Sequence, residues 1–134
     1  MLARCTALSL PLLALLVAPA AAAGPPEGLS GRMAFVDKVA AGLRQYHQEG
    51  DAGKRIEWLT RLAPTRDPRV AVVLGELWEH WYAAPSHEYP DPGVAADVLL
   101  HVHFVPGGGD KKRIRDWWKQ NEADLRRRAK LLPK

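Results

Sequence analysis

The chain has 134 residues, a formal net charge of +4 at neutral pH and a single cysteine. That length supports one domain and is marginal for two, and a lone thiol excludes an internal disulfide framework. Residues 110–134 hold ten Lys/Arg against four Asp/Glu, so a basic end follows a mildly acidic body; this bears on partners and solubility, not on fold.

The chain opens "MLARCTALSLPLLALLVAPAAAAGPPEG". Arg4 precedes an apolar run over residues 7–17, and small residues fill 18–23, the pattern of a secretory signal peptide cleaved near Ala23. The run is shorter than the roughly 20 apolar residues that a membrane span needs, and Pro11 and Pro19 interrupt it. The alternative is an uncleaved N-terminal anchor. Cleavage removes Cys5 with the signal, leaving 111 residues without cysteine and no transmembrane segment. The expected location is therefore outside the cytoplasm, periplasmic or secreted. Residues 24–29 read as a flexible lead and residues 30–134 as one helical domain.

A first helix is expected from Ser30, whose hydroxyl is suited to cap free backbone N–H groups. Val36, Val39, Ala40, Leu43 and Tyr46 follow at helical spacing. "QEGDAGK" ends it, and Asp51 caps a short second helix carrying Ile56, Trp58, Leu59 and Leu62, which Pro64 stops. Asp67 and Pro68 open a third helix, with Asp as N-cap and Pro at the first helical position, where its missing N–H costs nothing. Val70, Val73, Leu74, Leu77 and Trp81 then trace an apolar stripe.

Asp91 and Pro92 repeat the same opening before "VAADVLLHVHFV". This stretch is apolar nearly all round, so as a helix it would be buried on most sides. Leu100, Val102 and Phe104 also alternate with Leu99, His101 and His103, as in a strand; the Asp-Pro start and the Ala pair favour a helix. "PGGG" breaks the chain, and a last helix over residues 110–132 lines up Ile114, Trp118, Asn121, Leu125 and Leu132. The expected class is all-α.

The segments "KRIEWLTRLAPT", "DPRVAVVLGELW" and "PDPGVAADVLL" resemble HEAT-type repeats, in particular the short bacterial kind related to phycobilisome-lyase HEAT domains. The resemblance covers about residues 54–105 and makes the two Asp-Pro segments the halves of one helical hairpin. The closing "RDWWKQNEADLRRRAK" resembles the Trp-Trp-x-x-Asn helix that trails HEAT arrays in some exported bacterial proteins. The resemblance implies antiparallel helical hairpins in a short right-handed stack, with the first and last helices as caps. It also implies a protein-binding role without an active site, because the matched positions serve packing and capping.

The residues themselves carry little catalytic signal. Ser30 and Ser86 are the only serines after residue 23, and no G-x-S-x-G, H-E-x-x-H or P-loop sequence occurs. "PGGGDKK" has the glycines of an anion nest, but Asp110 would put a negative charge there; a hinge ending in an N-cap explains it better. No enzyme and no cofactor are expected. An alternative reading is a periplasmic metal-binding protein using His80, His87, His101 and His103, with Glu88 beside them. His101 and His103 would share a face on a strand but point about 200° apart on a helix.

Trp58, Trp81 and Trp118 fall on the apolar faces and read as core. Trp78 and Trp117 lie off those stripes, with Tyr82 four residues beyond Trp78. They read either as anchors at a protein interface or as core covered from a second side. Arg126, Arg127 and Arg128 would form an electrostatic rim to such an interface. No aromatics interleave this basic run, so nucleic acid is not an expected partner, while weak contact with an anionic surface is a further alternative. The leading expectation is an exported helical protein-binding or scaffold module.

Overall fold

The computed structural model describes residues 28–87, 90–107 and 110–134. The expected signal segment, residues 1–23, lies outside the described residues. Among them are five α-helices: α1 (Leu29–Gln48), α2 (Ala52–Leu62), α3 (Pro68–Ala83), α4 (Pro92–His103) and α5 (Lys111–Lys130). A short 3-10 turn, Ala63–Thr65, follows α2, and no strand occurs among the described residues. The fold is all-α.

Local chemistry starts four of these helices. Asp51, Asp67, Asp91 and Asp110 each sit at an N-cap and accept from the backbone N–H of Lys54, Arg69, Gly93 and Arg113 respectively. Each bond satisfies a donor that the first helical turn leaves without a partner. Helix α1 departs from expectation: its N-cap is Gly28 and no side chain caps it, so Ser30 lies inside the first turn. Gly28 adopts φ 92°, a conformation that glycine tolerates and serine does not. The stretch with two readings is helical through His103, so the strand alternative falls.

The helices pair in antiparallel fashion. Gly42 meets Leu62 and the Tyr46 hydroxyl accepts from Arg55 at 3.1 Å, which aligns α1 against α2. Burial pushes the Tyr46 phenol above its ordinary pKa, with Arg55 opposing the shift. Trp81 packs on Gly93 while Trp78 donates to Asp97 at 2.8 Å, which aligns α3 against α4. On its other side α3 meets α5, where the Trp118 indole donates to Glu79 at 3.3 Å and Arg126 donates to Glu76 at 2.6 Å. Two glycines allow these approaches: a Cβ on Gly75 would stand 2.3 Å from the Trp118 ring, and one on Gly93 would stand 2.1 Å from Trp81 Cβ.

Helix α3 is thus central, with α4 and α5 against it and α2 touching α4. Its buried line is Val70, Ala71, Leu74, Gly75 and Trp78, whereas Val73, Leu77 and Trp81 from the expected stripe are half-buried. Cover from two directions shifts the buried sector away from the stripe that one-sided packing predicts. Tyr46, Leu59, Leu100 and Ile114 complete the main core.

Candidate interaction surface

Helix α4 presents an exposed apolar face. Gly93, Ala96, Leu99 and Leu100 point into the core. At about 100° per residue, Val94, Val98 and Val102 fall on the opposite side. They are 45%, 54% and 65% exposed. The expectation that this helix is buried on most sides is therefore corrected. Its neighbours are α3, α2 and, more lightly, α5 and the 3-10 turn, and no described element covers the outer side. Asp97, the one charge in the stretch, accepts from the Trp78 indole rather than facing outward alone.

Beside the valines runs a cleft of about 410 Å³, lined by Ile56, Pro90, Val94, Ala95 and Val98, with Ser86, His87 and Asp91 also in its wall. It joins α2 to the outer face of α4. Contiguous apolar surface with a polar edge is the usual character of a docking site, since solitary exposed apolar residues are common but aligned ones are not.

The residues expected at an interface are scattered by the fold. Trp78 is 1% exposed and is a core side chain, which corrects its reading as a surface anchor: it lies between α3 and α4 with its indole N–H satisfied. Tyr82 is exposed, its ring stacked on Trp78 at 4.9 Å. Trp117 is half-buried, with its ring centroid 6.2 Å from Phe104. Trp118 is core as expected, whereas Trp58 and Trp81 are half-buried. Arg126 binds Glu76 and Glu122 and lies over the Trp118 ring at 5.7 Å; both carboxylates raise its pKa, Glu76 more. Arg127 and Arg128 pair with Asp124 on their own helix. Much of the basic run is thus engaged within the chain.

The histidines separate as well. His80 borders a cleft with Tyr46, Arg55 and Glu76, His87 borders the valine cleft, and His101 and His103 border a third with Arg66. Burial lowers the His103 pKa below its ordinary value, and the Arg66 charge lowers it further. A cation beside the imidazole also disfavours a metal ion there. Glu88 lies outside the described residues. Among the described residues no three His, Cys, Asp or Glu side chains converge to hold a metal. The hydroxyls of Thr60 and Thr65 donate to the carbonyls of Ile56 and Leu62 and serve the helix ends.

Among the described residues no helix is long and apolar enough to cross a membrane. The valine face was not singled out in the sequence, although its i, i+4, i+8 spacing opposite Ala96 and Leu100 was the available signal. No family model, curated protein or solved structure matches the chain.

Proposed function

We propose that this chain is a small exported protein-binding module of HEAT-like build, whose docking edge is the outer face of α4. The observation that carries this reading is the line of Val94, Val98 and Val102 on a helix whose inner side is fully packed. In a stack of helical hairpins the last helix of each unit leaves such a face for the next one. The antiparallel pairing of α3 and α4 behind two Asp-Pro openings supports the same reading. The occupant would be a partner helix with an apolar stripe, laid along α4 and reaching Ile56. Tyr82 supplies a rigid aromatic near the end of α3, and Trp78 acts beneath it as support. Export rests on the character of residues 1–23.

A photo-crosslinking residue placed at Val98 should give one discrete adduct in the native compartment, and the same residue at Lys119 on α5 should give none. Adducts at neither position, or equally at both, would remove the assignment. The charge substitutions Val94→Glu and Val98→Glu should abolish the adduct formed from position 102 while leaving the melting temperature within a few degrees. A mature N-terminus at residue 24, read by mass spectrometry, would establish export with cleavage; an intact Met1 end would refute cleavage.

A further inference from the structure

One guanidinium ties helix α1 to the C-terminal tail. Arg69 donates through Nη1 to the Pro133 carbonyl at 2.7 Å and through Nη2 to the Val36 carbonyl of α1 at 3.4 Å. Its Nε and Nη2 also take both oxygens of Asp67, at 2.9 and 2.8 Å. The side chains of this ion pair are only 11% and 1% exposed. Bidentate pairing of this kind fixes geometry as well as charge. The early turns of α1 and the C-terminal tail are therefore pinned to the start of α3.

Between them lies a cleft of about 440 Å³. Its floor is Phe35, Val36, Pro68 and Leu132, and its rim carries Arg32, Arg66 and Arg128. Leu131 stands at its edge, 75% exposed. Leu29, 80% exposed, precedes Arg32 by three residues and Val36 by seven, so it extends the same face of α1. The one carboxylate in the lining, Asp67, is neutralised by Arg69. Arg32 and Arg66 make no ion pair among the described residues, and Arg128 lies 3.8 Å from Asp124. Arg66 also holds a left-handed backbone at φ 53°, unusual for a residue with a side chain.

Leucines standing out among exposed guanidinium groups match the boundary between phospholipid headgroups and acyl chains. Apolar side chains enter that boundary, and Arg binds phosphate oxygens there. We propose that this end of the molecule docks on an anionic phospholipid bilayer, with Leu29 and Leu131 inserted and Arg32, Arg66 and Arg128 on the phosphates. This surface is separate from the valine face of α4. From the basic run of α5 it takes only Arg128, whose contact with Asp124 is 3.8 Å, whereas Arg126 and Arg127 are held by closer carboxylates.

The test is sedimentation of the full-length chain with phosphatidylglycerol vesicles and, separately, with phosphatidylcholine vesicles at 0.1 M salt. The quantity read is the ratio of the two partition coefficients, which cancels whatever the apolar run at residues 7–17 contributes to both. At about fivefold per cation near an anionic surface, three arginines predict a ratio on the order of a hundred. Arg32→Glu and Arg66→Glu each reverse one charge and should lower it about 25-fold by the same measure. Lys119→Glu makes the same charge change about 18 Å along α5 from Leu131, beyond a Debye length of about 10 Å. It should lower the ratio less than about twofold. Circular dichroism reports whether each variant folds, and either arginine variant alone suffices. A parental ratio near one, or an equal loss in Lys119→Glu, would overturn the proposal.

Discussion

Helices α3 and α4 both begin with Asp-Pro and are both rich in Val and Leu, yet α3 is flanked by α4 and α5 while α4 leaves Val94, Val98 and Val102 in solvent. Apolar composition made the two segments alike; the number of neighbours made them different. A helix contributes to folding only through the face that another element covers, because the hydrophobic gain follows area removed from water. The uncovered valines add little to the stability of the isolated chain. That surplus is what makes the α4 face a candidate for binding.

The contrast can be broken most sharply in the core. Leu74 is 0% exposed, so Leu74→Ala should cost about 3–4 kcal/mol in denaturant unfolding. Val98→Ala, on the open side of α4, should stay within about 0.5 kcal/mol. Equal losses would mean that the outer face is covered in the folded protein. The caps offer a smaller difference. Asp91→Ala removes an N-cap and should cost about 1 kcal/mol. Asp67→Ala removes an N-cap and also strands the mostly buried Arg69, so about 3 kcal/mol is expected. If the two substitutions cost the same, the Arg69 pin is not a stabilising contact.

The smallest effect concerns pH. The His103 pKa is held below its ordinary value, chiefly by burial and then by Arg66. The unfolded chain therefore binds more protons at this site than the native one, so stability rises with pH across this window. The contribution is present above the unfolded imidazole pKa, about 6.5, and is lost as pH falls through the lower native value. His103→Gln should flatten the slope of unfolding free energy as pH falls below the ordinary imidazole pKa of about 6.5. An unchanged slope would place the titration elsewhere.

The helix starts were legible because capping is local. An Asp two or three residues before the N–H it binds needs no tertiary partner, and this held at Asp51, Asp67, Asp91 and Asp110. The first helix starts ahead of Ser30, because backbone conformation at Gly28, rather than a side chain, begins it. Trp78 left two readings because its sector of α3 becomes interior only when α4 packs there. Arg126 read as rim because its partner Glu76 lies on another helix, 50 positions away.

From residue order alone follow the all-α class, the turns between helices and the starts of the four Asp-capped helices, since each depends on contacts within a few residues. Long-range packing assigned the rest: which side of α3 is interior, which valines stay wet, and how Arg69 draws α1 and the C-terminal tail around one arginine-rimmed cleft. Those outcomes depend on which helices meet, and a periodic pattern shows that a face is apolar without naming what will cover it.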